Sequence, residues 1–202
     1  NKVEADVLGT SVYFKEDEHS DDYDHENSYS DSDSKILIKC DGKLYECSDR
    51  NFNYYGEGRY GRYTCKELTY DDINNGKSIT LIPVTCTLTN KEKEEIYDTM
   101  RYDSEYVPET FDNVTYKKDF KFNDGKDGEV SKVEREDDKV KLYINTDSEN
   151  KSILMACSMR GWIESNKGNY YGDAEKSMYK DPDSNDGYII EFSGVDKEIG
   201  RA

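Results

Sequence analysis

Acid–base or nucleophilic chemistry near neutral pH usually needs a histidine beside the nucleophile. This chain has two, His19 and His25, and both lie between Glu16 and Ser34 among Asp, Glu, Ser, Asn and Tyr. Nothing aliphatic there can build a pocket, so a Ser–His or Cys–His site is not expected. The carboxylates Asp21, Asp22, Asp24, Glu26, Asp31 and Asp33 of the same stretch could hold Ca²⁺, but the spacing D-x-[DN]-x-[DN]-G is absent. No metal site is expected. Five cysteines (Cys40, Cys47, Cys65, Cys86, Cys157) include no CxxC pair, which removes the common zinc and thioredoxin-like readings. An odd number leaves at least one outside any intramolecular bridge; buried thiols with at most one or two disulfides are expected. With 45 Asp and Glu, any pair close enough for glycosidase-like work is uninformative. Gly56-Glu-Gly58 lacks the third glycine and the helix of a phosphate loop. Neither an enzyme nor a cofactor is implied.

What the residues suit better is contact. Asn51 to Tyr63, NFNYYGEGRYGRY, gathers four Tyr, one Phe, three Gly and two Arg. Tyrosine offers a large contact area for little side-chain entropy, and arginine a planar set of donors. Tyr54, Tyr55, Arg59, Tyr60 and Arg62 are the candidate ligand-binding residues, for a protein, peptide or carbohydrate. The competing expectation is a long irregular loop whose rings simply cover the domain. The related string Asn169-Tyr-Tyr-Gly172 repeats only four residues of it.

The formal net charge of −17 argues against nucleic acid and against anionic membranes. No apolar run reaches the ~20 residues of a membrane span. That the first residue is Asn fits a mature or trimmed form whose signal peptide is gone. Asn113-Val-Thr115 and Asn150-Lys-Ser152 are sequons, of use only in a eukaryotic secretory pathway.

The elements that must position these residues are mostly strands. Lys77 to Asn90 alternates, with Ile82, Val84, Cys86 and Leu88 expected in a core; Pro83 demands a bulge or an edge. Lys35–Cys40 and Lys43–Cys47 flank Asp41-Gly42, which predicts a hairpin with Cys40 opposite Lys43 and Cys47 opposite Ile36, too far apart to bridge. Strands are predicted at Gly9–Lys15, Val114–Phe122, Glu129–Arg135, Lys139–Asn145 and Gly187–Phe192. The parity of Ile153, Met155, Cys157 and Met159 predicts another within Lys151–Glu164, with Ile153, Met155, Cys157 and Ile190 in the core and Cys157 facing Cys86. Thr69 predicts the cap of one helical turn ending at Gly76. Asn90 to Tyr106 reads as mostly loop.

The run Leu81 to Glu95, LIPVTCTLTNKEKEE, resembles a pattern in uncharacterised cell-surface lipoproteins of Gram-positive bacteria, whose domain is telokin-like. Val84, Cys86, Leu88, Thr89 and Asn90 match its strand, and Lys151–Met159 and Tyr188–Phe192 would be later ones. The resemblance implies extracellular display, lipid anchoring and interaction, and supplies no catalytic residue. The whole is read as all-β: one immunoglobulin-like antiparallel two-sheet sandwich over 1–202, with long irregular loops and at most one or two short helical turns. An acidic insert spans 16–34 and a Tyr/Gly/Arg-rich loop 48–66. The functional expectation is a secreted or surface-tethered binding module. An acidic inhibitor or immunity-type protein that blocks a basic partner is the alternative, and a carboxylate-based hydrolase comes third.

Overall fold

The computed structural model describes residues 2–16, 35–47, 49–55, 58–74, 78–84, 89–92, 94, 107–164 and 170–194. They are mostly strand, and the sheets are antiparallel. Contacts cluster into two compact units, Asn1–Glu105 and Tyr106–Ala202. Among the described residues no helix is long and apolar enough to cross a membrane.

The first unit holds β1 (Lys2–Asp6), β2 (Gly9–Glu16), β3 (Lys35–Cys40), β4 (Lys43–Glu46), β5 (Asp49–Tyr55), β6 (Gly58–Cys65), α1 (Tyr70–Asn74) and β7 (Ile79–Val84). One sheet runs β1-β2-β6-β5, and a second group runs β4-β3-β7. Val12, Tyr63 and Cys65 of the sheet share a core with Ile38, Cys40 and Cys47 of the second group, closed by Leu68. Two β layers therefore enclose this core. Burying each Val, Ile or Leu contributes about 1.5–3 kcal/mol. Thr10 is wholly buried and stays satisfied because its hydroxyl donates to the Leu68 carbonyl at 2.6 Å. The Asp41-Gly42 turn has the expected form, both residues at positive φ (51° and 77°). Cys40 lies opposite Lys43, and the Cys47 N–H donates to the Ile36 carbonyl, as the sequence predicts. Thr69 caps α1 through Asp72, which accepts from the Thr69 N–H and hydroxyl at 2.9 and 2.8 Å.

The second unit holds β8 (Glu109–Phe111), β9 (Val114–Tyr116), β10 (Asp119–Lys121), β11 (Asp127–Glu136), β12 (Lys139–Asn145), α2 (Glu149–Ser158), β13 (Trp162–Glu164), β14 (Tyr170–Asp173), β15 (Glu175–Lys180) and β16 (Tyr188–Ser193). Its sheet runs β10-β11-β12-β16-β15. Val140, Leu142 and Ile144 line one face of β12 with Ile190 and Phe192 of β16, all buried, and α2 packs on β11, β12 and β16.

Several expectations are corrected. Residues 149–158 form a helix, not a strand. Ser152, Ile153, Met155, Ala156 and Cys157 are buried while Leu154 is exposed, and that set recurs at three- and four-residue steps as well as at two. A short apolar run satisfies both periods, and the sheet beneath it selects the helix. Val114–Phe122 divides into β9 and β10. Strand β1 was not expected. In β7, Ile79 and Leu81 are half-buried and pack against the core of the first unit, and Ile82 and Val84 on the other parity are half-buried as well, Ile82 opposite the buried Leu37. Pro83 sits where the edge expectation puts it, since β7 ends its sheet order. Ile153, Met155, Cys157 and Ile190 are buried as expected. Cys86, Leu88, Gly76 and the acidic stretch 17–34 lie outside the described residues.

Candidate binding face

Asp49–Tyr55 and Gly58–Cys65 form two paired strands, not an irregular loop. Alternation of small or aromatic residues (Gly61, Tyr63, Cys65) with polar ones (Arg62, Thr64) gives β6 a dry face and a wet one. Gly61 is the key to the dry face. The Phe14 ring lies over it, so close that a Cβ there would stand 2.0 Å from the ring, and the same ring stacks on Tyr63 with centroids 5.1 Å apart. An aromatic from the neighbouring strand covers the glycine and fixes the register Phe14↔Gly61.

That register decides where the five candidate residues go. Tyr60 and Arg62 share the outer face and are exposed, Tyr60 by 42%. Tyr55, opposite Gly58, occupies an outer-face register position, whereas Tyr54 and Arg59, opposite each other, occupy inner-face positions. The structure brings three of the five to one face and separates two.

The outer face holds residues that the sequence reading missed. Lys15 lies opposite Tyr60, Tyr13 opposite Arg62, and Asn51 opposite Arg62 from the other side. The Arg62 guanidinium carbon stands 6.0 Å from the centroid of the Tyr13 ring, within cation–π range. Glu4 of β1 accepts from Lys2 and from the Tyr13 hydroxyl, and the Lys2 contact first, then Tyr13, holds its carboxyl below the usual range. The signal for this face was in the sequence: Val-Glu-Ala-Asp and Ser-Val-Tyr-Phe each alternate, but β1 is short and mixed in polarity. On a chain of net charge −17, the outer face carries Lys2, Lys15 and Arg62 against Glu4, Asp6 and, by its register position opposite Thr64, Asp49. Asp6 is engaged by its own turn, accepting from the Leu8 N–H at 2.7 Å.

This arrangement can stack and hydrogen-bond. Burial, above all, pushes the Cys47 thiol up to about 12 and the Cys65 thiol up to about 11. The Cys65 thiol donates to the Glu67 carboxylate at 3.5 Å. Cys40, Cys47, Cys65 and Cys157 are all buried and none is in a disulfide. Among the described residues no group of three or more His, Cys, Asp and Glu is arranged to hold a metal ion. Comparison with known proteins finds no matching family model, no similar curated protein and no similar solved structure.

Proposed function

We propose that this protein is a non-catalytic binding module that takes a carbohydrate on the outer face of the β1-β2-β6-β5 sheet, with Tyr60 and Arg62 as its contacts and Tyr55 beside them. The observation that carries the reading is the pairing of an exposed tyrosine with an exposed arginine on a rigid sheet face. A flat ring stacks on the C–H face of a sugar, and a guanidinium donates to hydroxyls or a uronate. Truncating a well-used contact typically costs more than about 1 kcal/mol. In native gels containing soluble neutral or uronate-bearing polysaccharide, the chain is expected to be retarded. Tyr60→Ala/Arg62→Ala should lose that retardation at an unchanged melting temperature. Retardation that survives the double substitution would sink the reading.

Surface display in an immunoglobulin-like, telokin-like setting is the part of the reading suggested by Leu81–Glu95. An apolar leader ending in a cysteine, encoded upstream of Asn1, is its test; a start codon close upstream without such a segment counts against it. The alternative, an acidic blocker of a basic partner, is favoured by the charge of −17. It predicts salt-sensitive capture of the chain by a cationic protein, unaffected by Tyr60→Ala.

A further inference from the structure

We infer that the chain carries one module twice: the sheets β1-β2-β6-β5 and β11-β12-β16-β15 are matched copies, and two of the outer-face positions at which they differ, Tyr60 and Arg62, set ligand specificity in the first. The second half of this inference rests on the binding reading above; the first half does not.

The strand orders correspond term by term, and every pairing is antiparallel. The registers correspond as well. Lys2↔Tyr13, Val3↔Val12 and Glu4↔Ser11 have the counterparts Lys132↔Tyr143, Val133↔Leu142 and Glu134↔Lys141. On the next ladder Val12↔Tyr63, Tyr13↔Arg62 and Phe14↔Gly61 correspond to Leu142↔Ile190, Tyr143↔Ile189 and Ile144↔Tyr188. On the last, Asn51↔Arg62 corresponds to Tyr179↔Ile189. Both first hairpins close over two residues, Asp6↔Gly9 in one and Glu136↔Lys139 in the other, so the lysine-to-tyrosine spacing is the same in each.

The same side chains occupy the matched positions. Each first hairpin carries Lys-Val-Glu in its first strand, at the start of β1 and in the second half of β11, and places a tyrosine opposite the lysine. In each the lysine pairs with the glutamate two residues on, and the tyrosine hydroxyl donates to that glutamate. The Asn-Tyr-Tyr-Gly strings, by contrast, lie at unmatched places, at the end of β5 and in β14. The inner faces differ by a compensating exchange. In the first unit β2 supplies the ring (Phe14) and β6 the small residue (Gly61); in the second β12 supplies the smaller residue (Ile144) and β16 the ring (Tyr188). On the outer faces the Lys–Glu–Tyr ladder is common to both, which makes it scaffold. Arg62 has Ile189 as its counterpart, and the position of Tyr60 falls at Gly187, ahead of β16.

The inner-face exchange supplies the test, a double-substitution cycle in the full chain. Phe14→Ile alone leaves a gap and Gly61→Phe alone meets the Phe14 ring, so each should lower the melting temperature by at least about 5 °C. Together they rebuild the ring arrangement of the second unit, and the double variant should melt above the Gly61→Phe variant. Losses that simply add, or a double variant worse than either single, overturn the repeat. For specificity, Arg62→Ile installs the counterpart residue and should abolish gel retardation by the polysaccharides, whereas Tyr143→Phe, on the matched ladder of the second unit, should keep it. An Arg62→Ile variant retarded like the wild type, or a Tyr143→Phe variant that is not retarded, overturns the assignment. A wild type that no polysaccharide retards overturns the binding reading and the specificity assignment with it, while the cycle still decides the repeat.

Discussion

Ala156→Asp should be among the most damaging single substitutions in the second unit. Ala156 lies on α2 with 0% of its surface exposed, on the side of the helix that meets the sheet. Aspartate is too short to reach water from there. Desolvating an unpartnered carboxylate costs several kcal/mol even after relaxation, or the group takes up a proton and still leaves a buried polar atom costing about 1–3 kcal/mol. The poorer helix propensity of Asp adds roughly 0.7 kcal/mol. The control is Leu154→Asp, which carries the same propensity cost at a position 42% exposed. In a unit of this size about 1 kcal/mol moves the melting temperature by roughly 4–8 °C. Thermal unfolding followed by far-ultraviolet circular dichroism should therefore show Ala156→Asp melting at least about 10 °C below Leu154→Asp. Equal melting of the two would refute the helix, because in a strand residues 154 and 156 share one face and stand alike.

Three further outcomes follow from the same structure. Cys47 and Cys65, buried and with thiols pushed to about 12 and about 11, should react with an aromatic disulfide reagent at pH 8 at least about a hundredfold more slowly in native buffer than in urea, since only opened molecules expose them; fast native labelling of either in peptide maps would contradict their burial. Asp147 accepts from Lys126 and Lys151, which lower its carboxyl to about 2; a depressed folded value gives a contribution present above pH ~4 that is lost as pH falls toward ~2, so the urea midpoint of the wild type should drop more over that window than that of Asp147→Asn, and parallel curves would refute it. Gly42, at φ +77°, should cost about 1 kcal/mol when changed to alanine, read as a lower urea midpoint, and an unchanged midpoint would mean that the turn relaxes to another form.

How far the sequence discloses this fold depends on how local the determining contact is. The Asp41-Gly42 hairpin, the Thr69 cap and the strand Lys139–Asn145 were legible because neighbours in sequence settle them: a turn residue, a cap, a clean period of two. Residues 149–158 were not, because Ile153, Met155 and Cys157 fit two periods, and only the apolar face of β11, β12 and β16 beneath them chooses one. Asn51–Tyr63 was misread for a related reason. Glycine in a strand is unfavourable by itself, and what makes Gly61 acceptable is the Phe14 ring from a strand forty-odd residues earlier in the chain. The candidate site suffered in proportion: residue types alone drew Tyr54, Tyr55, Arg59, Tyr60 and Arg62 together, and register divides them between two faces.

The same register explains why the outer face of the first unit stands apart from a merely solvated one. A wet sheet face needs only polar side chains, and the second unit shows what that looks like on matched positions: Lys132, Glu134, Lys141 and Glu191 alternate in sign, and Tyr143 and Tyr179 each donate to a glutamate. Those two phenols are pushed up to about 12, Tyr143 first by its contact with Glu134 and Tyr179 first by burial. Lys132, Lys139, Lys141, Tyr143 and Tyr179 are each engaged by a glutamate of their own sheet. In the first unit the ladder Lys2–Glu4–Tyr13 is occupied in the same way, but the row beside it replaces a buried isoleucine with Arg62 and a glycine with an exposed Tyr60. Neither substitution improves the packing beneath, which Phe14, Gly61 and Tyr63 already complete. Arg62, whose guanidinium lies 6.0 Å from the centroid of the Tyr13 ring, and the exposed Tyr60 set this face apart from the matched one, and that difference is the reason to look for the ligand there.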